Sequence, residues 1–399
     1  MLGIKCIGPI FDVSGYAEWC RSYVLALIEA GIPVTIGTDL VRGTGRPITF
    51  ETNKPALGSV EQTLQPYVGK NIPYDTVIAW LTPEMALEQL SVEPPTVKKI
   101  NFTLWETDTI HPYWVECLSK SCDELWVPGD FNLQVFRSSL AKTELGLQTL
   151  DKIKIRKILT PFQASSYKDI DFSFKIIDGP SGLDISPDTF SFYFISQWSE
   201  RKNFTDLMEA YWSEFSSKDN VRLILKTYIN NHSIEEKQQL GTFFNNTLKS
   251  LNSTDVAPIS IVHRVLSKAE LNALHVKCSC YVNPARGEGL GLGALEATYF
   301  NKPVITNLFG EQSSYFEESN SFVYNHTMRP VKNMGSPWYT IKQNWAQPDI
   351  QDLKSKMRFV YENRSSDLVL NKVKAAKDTL TELGNPSNVV KEILKALNG

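Results

Sequence analysis

The sequence predicts an α/β protein made of two Rossmann-like halves. Three observations lead to this. Short apolar runs of strand length alternate with stretches of helical periodicity, the pattern of parallel strands joined by crossover helices. The alternation pauses at the turn-rich Asp178-Gly179-Pro180-Ser181-Gly182-Leu183 and restarts at Phe190. In the second half, a glycine-rich stretch from Gly287 to Gly293 leads from one apolar run into a helical one. A chain of 399 residues is long enough for two such halves, each with its own core.

Composition narrows the class. A hydrophobic content of 42% with 21% charged residues fits a soluble globular enzyme. The net charge of −3 gives no nucleic-acid footprint, so no nucleic-acid partner is expected. Net charge is silent on local basic patches, so peripheral contact with a membrane surface stays open. The longest apolar runs are too short for a membrane span, and Met1 to Ile10 lacks the basic-then-apolar pattern of a signal peptide. A cytoplasmic location is the expectation. The six cysteines are scattered without a Cys-x-x-Cys, as buried thiols in a reducing compartment would be.

The elements follow in order. Ile4 to Ile7 is the first strand, and it ends in a loop from Gly8 to Tyr16. Ala17, Cys20, Val24, Leu27 and Ile28 recur at helical spacing, Gly31 closes that helix, and Val34 to Ile36 is the next strand. Residues 41–74 read as long loops with a short element. Thr76 to Trp80, Ile100 to Trp105 and Glu124 to Val127 are strands, and Phe172 to Ile177 is the last before the linker. Trp80, Trp105, Tyr113 and Trp114 gather at strand ends, where aromatic faces suit either a sugar ring or the core. Core is the reading for Trp126. His111 is the one histidine of this half and reads as a loop-packing residue.

The second half opens with strand Phe190 to Ile195 and the segment Ser196-Gln197-Trp198-Ser199-Glu200-Arg201-Lys202-Asn203. Asn203 reads as an N-cap, with Asp206 in the first turn and Phe204, Leu207, Met208, Tyr211 and Phe215 as an apolar stripe. Arg201 and Lys202 thus stand just before a helix N-terminus at the carboxyl end of a strand, a strong anion site. Val221 to Lys226 and Ile259 to Val262 are strands, and Ser267 with Glu270 forms a capping box. Cys278 to Val282 is a strand, Ala294 to Phe300 a helix and Val304 to Thr306 a strand. Residues 329–349 read as a loop holding Trp338, Tyr339 and Trp345, and three amphipathic helices follow from Asp349.

Between Val282 and Ala294 lies Asn283-Pro284-Ala285-Arg286-Gly287-Glu288-Gly289-Leu290-Gly291-Leu292-Gly293. Such a turn offers backbone N–H groups beside the positive end of a helix. Glu288 and Glu296 flank it with seven residues between them. With a helix start near Leu292, Glu296 sits about one turn inside and Glu288 just outside, so the two acids can hold two ends of one elongated ligand. Gly289-x-Gly291-x-x-Ala294 also fits a dinucleotide fingerprint, but that motif hugs the end of its strand and here six residues intervene.

Glu288 to Glu296, followed by Lys302-Pro303-Val304-Ile305, resembles the E-x7-E motif of the retaining GT-B glycosyltransferases of family 4. Arg201-Lys202 is similar to that family's diphosphate clamp. The run from Glu106 to Asn132 looks like the corresponding part of its first domain, with Gly129 in place of the usual serine. One departure is that many members carry Gly-Arg where this chain has Ser196-Gln197. The resemblance implies a GT-B fold, two Rossmann-like domains facing each other across a cleft. It implies an acceptor domain over 1–184, a nucleotide-sugar donor domain over 185–375, and a last helix over 376–399 crossing back to the first. It also implies retaining transfer of a hexose or pentose from a UDP- or GDP-linked donor to a hydroxyl acceptor, a glycan, a lipid or a protein-linked glycan.

By the same resemblance, Glu288, Arg201 and Lys202 are the catalytic candidates, with Glu288 on the donor sugar and the two cations on the diphosphate. Gly15, Arg264, Val265, Gly289, Leu290, Gly291 and Glu296 are the nucleotide-site candidates. Glu296 would take the ribose, Arg264 and Val265 the base, and Gly15 the phosphates from the first domain. Trp80, Trp105, His111 and Trp114 are the acceptor candidates. No cofactor beyond the donor and no metal is expected, because Asp169-Ile170-Asp171 follows polar residues instead of a buried strand. Two other classes fit the same pattern, an NAD-linked oxidoreductase and a catalytically silent sugar- or nucleotide-binding protein.

Overall fold

The computed structural model describes residues 2–12, 14–37, 59–178, 183–184, 186–251, 254–332 and 334–399. Most of the loop expected over 41–74, and the turn at 179–182, lie outside the described residues. The chain forms two compact units, Met1–Ser166 with Thr381–Gly399, and Tyr167–Leu380.

The first unit runs β1 (Ile4–Ile7), α1 (Gly15–Glu29), β2 (Val34–Ile36), α2 (Ser59–Leu64), β3 (Thr76–Trp80) and α3 (Pro83–Ser91). It continues with β4 (Lys98–Phe102), α4 (Pro112–Ser121), β5 (Glu124–Val127), α5 (Asp130–Leu140), α6 (Glu144–Lys152) and β6 (Lys154–Lys157). Its sheet has the order β2-β1-β3-β4-β5-β6, parallel throughout. A parallel sheet is covered on both faces, so a central strand can be buried along its whole length. β3, Thr-Val-Ile-Ala-Trp, is buried at every residue. Trp19, Tyr23, Trp80, Phe102 and Trp126 meet edge-on, tilted or stacked in one aromatic core. Each such side chain stabilises the fold by roughly 1.5–3 kcal/mol when fully buried.

The second unit runs β7 (Ile177–Asp178), β8 (Leu183–Asp184), β9 (Phe190–Ile195), α7 (Phe204–Glu214), β10 (Val221–Lys226), α8 (Ile234–Ser250), β11 (Ile259–Val262) and α9 (Lys268–Lys277). Then come β12 (Cys280–Val282), α10 (Leu292–Tyr299), β13 (Val304–Thr306), β14 (Phe322–Val323), β15 (His326–Pro330), β16 (Asn344–Pro348) and α11 (Ile350–Glu362). The chain leaves this unit within α12 (Asp367–Leu383), and α13 (Pro386–Asn398) belongs to the first unit. The sheet order β11-β10-β9-β12-β13-β14 is again parallel. It is the 3-2-1-4-5-6 order of dinucleotide-binding sheets, and its strand order reverses between β9 and β12.

Several expectations change. Phe172 to Ile176 is not a strand. Asp171 instead turns the chain, its carboxylate accepting the Ser173 N–H at 2.9 Å and hydroxyl at 2.6 Å. The passage to the second unit comes at Tyr167, ahead of the boundary at 184 that composition suggests. The Asp171 N–H donates to Ala269 O at 3.1 Å and Asn272 Nδ2 donates to Asp169 O at 2.8 Å, which holds this segment on α9. Residues 329–349 are not one loop, because β15 and β16 pair antiparallel there and bury Trp345. The capping box at Ser267 and Glu270 forms as expected. All six cysteines are reduced and buried. No helix among the described residues is long and apolar enough to cross a membrane.

Candidate active site at the strand-order reversal

In open parallel sheets a ligand binds outside the carboxyl ends of the strands, where the order reverses. Here that point lies between β9 and β12, and the two segments leaving these strands carry the candidate residues. After β9 the chain passes Ser196 to Asn203 and enters α7. After β12 it passes Asn283 to Gly291 and enters α10.

The two segments are bound to each other. Arg201 Nη1 donates to Gly287 O at 2.7 Å, and the Arg286 N–H donates to Arg201 O at 2.8 Å. Lys202 Nζ lies 2.7 Å from both Glu288 carboxylate oxygens, and Arg201 Nη1 lies 3.7 Å from Oε2. Arg201, Lys202 and Glu288, far apart in sequence, therefore converge on one spot. The ammonium and guanidinium face a carboxylate that is largely enclosed, a geometry that can take up phosphate oxygens on one side and sugar hydroxyls on the other.

The loop is shaped by close backbone contacts. Gly291 caps α10 at φ 75°, a left-handed conformation natural to glycine. Glu288 bridges to Gly310, and the Glu311 N–H donates to Glu288 O at 2.9 Å. A side chain at Gly310 would place its Cβ 2.4 Å from Glu288 O. Beneath the loop, Asn283 Nδ2 donates to Gln312 Oε1 at 2.7 Å and Thr306 Oγ1 donates to the same oxygen at 2.9 Å. Asn307 Nδ2 donates to Ala285 O at 2.9 Å, and Tyr324 donates to Asn283 O at 2.8 Å. Arg286 ties the loop sideways, with Nε on Gln347 Oε1 at 3.0 Å and Nη1 on Glu200 Oε1 at 2.9 Å. Asn203 stands at the N-cap position of α7 as expected, but its side chain takes part in this bracing and makes no capping hydrogen bond. It is left-handed at φ 57°, and its Nδ2 donates to Asp206 Oδ2 at 2.9 Å and Pro284 O at 3.1 Å.

Glu296 lies inside α10, one turn from its start, in a second charged cluster. Lys268 Nζ is 2.9 Å from Oε1, and His275 Nε2 is 3.4 Å from Oε2. Tyr193 Oη lies 2.9 Å from the other ring nitrogen of His275. Burial alone would raise this carboxyl, but Lys268 and His275 outweigh it and hold Glu296 down to about 2. It is ionised at neutral pH, ready to accept hydrogen bonds from vicinal hydroxyls. Sequence reasoning does not single out Lys268 or His275. Their spacing of seven along α9 puts both on one face, which is the signal that could have found them.

The remaining candidates lie elsewhere. Gly289 and Leu290 line the turn into α10, with Leu290 buried. Arg264 follows β11 and pairs with Glu270 at 2.7 Å, while the Val265 side chain beside it is exposed. Gly15 is the first residue of α1 in the first unit, behind the Ser14 cap, and a Cβ there would meet nothing within 4 Å. Trp80, Trp105 and Trp114 are buried side chains of the first unit's core. A ring enclosed on both faces has none to offer a sugar, so their part is packing. His111 caps α4, its Nδ1 accepting the Tyr113 N–H at 3.2 Å. Among the described residues no three His, Cys, Asp or Glu side chains converge as metal ligands would.

No family model matches the chain, and no curated protein matches it. Solved structures do. The HepE protein of Anabaena, in complex with UDP and glucose, superposes with a TM-score of 0.64 at 12% identity, each chain covered in full. Sucrose-phosphate synthase from Thermosynechococcus elongatus gives 0.64 at 13% identity, covering 100% of this chain and 98% of that one. The trehalose-6-phosphate structure from E. coli bound with UDP-2-fluoro glucose gives 0.64 at 10% identity, with 99% and 98% covered. The fold of the chain is GT-B, with two Rossmann-like domains.

Proposed function

We propose that the chain is a glycosyltransferase that moves a sugar from a nucleoside-diphosphate donor to a hydroxyl acceptor, with retention at the anomeric carbon. The observation that carries this reading is the meeting of Arg201, Lys202 and Glu288 at the strand-order reversal, with ionised Glu296 one turn into the adjoining helix. The spacing of the two acids suits the two ends of a nucleotide sugar. UDP is the favoured nucleoside diphosphate, because the HepE and E. coli structures hold UDP or a UDP sugar.

Chemistry follows from charge. The bond from the anomeric carbon to the diphosphate oxygen breaks, and negative charge grows on that oxygen. Arg201, Lys202 and the N–H groups opening α10 lie where this charge would be balanced, which is the stabilisation that usually dominates such reactions. Glu288 holds donor hydroxyls and offsets positive charge on the sugar ring. Glu296 accepts from the ribose hydroxyls. The acceptor oxygen bonds to the anomeric carbon on the face the diphosphate leaves, and its proton passes to the departing phosphoryl oxygen. No enzymic nucleophile and no metal is assigned a step. The sugar is a hexose or pentose, and the acceptor a glycan, a lipid or a protein-linked glycan.

The test begins with thermal-shift titration of UDP, GDP, ADP and NAD. Intact nucleotide sugars follow, with the anomeric configuration of any product read by NMR. Stabilisation by UDP or GDP and a retained product support the proposal. Stabilisation by NAD alone would make the chain a dinucleotide protein, and nucleotide binding without turnover would make it a silent binder.

A further inference from the structure

The carboxyl ends of β10 and β11 hold a group of polar atoms that the protein leaves without partners. Lys226 closes β10 and is buried, yet among the described residues its ammonium makes no ion pair and no hydrogen bond. Its Nζ lies 5.4 Å above the Tyr228 ring. Beside it Thr227 Oγ1, His232 Nδ1 and His263 Nε2 are all buried without a hydrogen bond. Buried polar groups are nearly always satisfied, so several orphans together point to an absent ligand.

The nearby carboxylates do not serve Lys226. Glu236 accepts the N–H groups of Ile229, Asn230, Asn231 and His232, at 3.1, 2.8 and 3.0 Å for the first, third and fourth. Its Oε2 is 3.6 Å from His263 Nε2. Glu270 is taken by Arg264 at 2.7 Å and by the Ser267 N–H at 2.8 Å. The imidazole of His232 is kept neutral, held down to about 4 by burial first and then by the charge of Lys226. Burial and the Arg264 charge also bring Lys226 down to about 8, as expected of a cation lacking its counter-ion.

Position connects this lysine to the candidate site. Lys226 pairs in register with Ile195 of β9, and Lys226 O accepts the Ser196 N–H at 3.1 Å. It thus stands at the root of the segment that carries Arg201 and Lys202. A compact ammonium seeks a concentrated negative charge. In a nucleotide sugar only the diphosphate carries such charge, whereas the base and ribose are neutral.

We propose that Lys226 is a third cation of the donor site and binds a phosphoryl oxygen of the nucleoside diphosphate. This rests on the reading of the site under Proposed function. The experiment is calorimetric titration of the full chain and of Lys226→Met with UDP and with inorganic pyrophosphate, together with a melting curve of each protein. The expected result is that Lys226→Met binds both ligands about tenfold or more weakly, by a similar factor, the scale of one hydrogen bond to a charged group. Its melting temperature should be unchanged or raised, because the ammonium makes no ion pair or hydrogen bond among the described residues that the variant would lose. Equal affinity of wild type and variant overturns the proposal while leaving the donor site standing. A loss confined to UDP overturns it too, since the contact would then be to base or ribose, and so does a lowered melting temperature with binding unchanged. Wild-type protein that binds neither ligand overturns the donor site itself and this proposal with it. Should Lys226→Met not fold, Lys226→Gln is judged by the same outcomes.

Discussion

Glu296→Gln tests the buried charge cluster of α10 and its use. The carboxyl is held at about 2, against an ordinary value of 4.5. At ~1.4 kcal/mol per decade, that difference amounts to about 3 kcal/mol of stability at neutral pH. The sign is that of a depressed acid. The contribution is complete above the unfolded value of 4.5 and is lost as pH falls towards 2. Linkage then gives a loss of about 1 kcal/mol by pH 4 and about 2 kcal/mol by pH 3. The assay is urea unfolding of wild type and variant at pH 7, 4 and 3. The gap between them should be widest at pH 7 and shrink by these amounts as the wild-type carboxylate is protonated. The same variant should bind UDP more weakly, because an amide is a poorer acceptor for ribose hydroxyls. A gap independent of pH would refute the charged cluster, and unchanged UDP affinity would refute the ribose contact.

Three further outcomes are expected. Lys202→Ala should lower turnover at saturating donor by on the order of 10²-fold, the cost of losing one charge-stabilising donor, and near-wild-type turnover would remove Lys202 from the clamp. Gly293→Ala should destabilise the fold by up to about 2 kcal/mol, because overpacking costs ~1–3 kcal/mol against ~1 kcal/mol of helix propensity gained. Its Cβ would lie 2.2 Å from Tyr281 Oη, on a ring already packed against Tyr193, and an unchanged denaturation midpoint would contradict that contact. Transfer should survive dialysis against excess EDTA, and activity lost to EDTA and restored by Mn²⁺ or Mg²⁺ would show a metal carrying the leaving-group charge instead.

What could be read from the sequence followed the physics of burial. The strands buried on both faces, such as β9 and β10, spell themselves as apolar runs and were legible. β6 was not, because its residues, Lys-Ile-Arg-Lys, form an edge strand of mostly charged, partly exposed side chains. The β15–β16 hairpin was hidden by its prolines and polar residues, and only the pairing shows that Trp345 has somewhere to be buried. At the site, the residues leading out of β9 and β12 could be chosen because charge and glycine sit at strand ends. Their partners could not. Lys268 and His275 reach Glu296 through the packing of α9 beside α10, and Arg286 acquires its role from β16. The tryptophans near strand ends misled for the same reason, since composition does not tell an enclosed ring from an open one.

The support that Arg286 draws from β16 has a consequence in time. The Ala346 N–H donates to Arg286 O at 2.8 Å, and Gln347 Oε1 accepts from Arg286 Nε at 3.0 Å. Gln347 leaves the ribosome 145 residues after Lys202 (347 − 202). At ~5–20 residues per second that is roughly 7–30 s, long enough for the sheet strands to emerge and pair. For the last 59 residues of that interval (347 − 288), once Glu288 has been added, the nascent chain carries both segments without the strand that braces them. On the proposed function, a braced donor site therefore forms only once β16 has been made, well after its two cations.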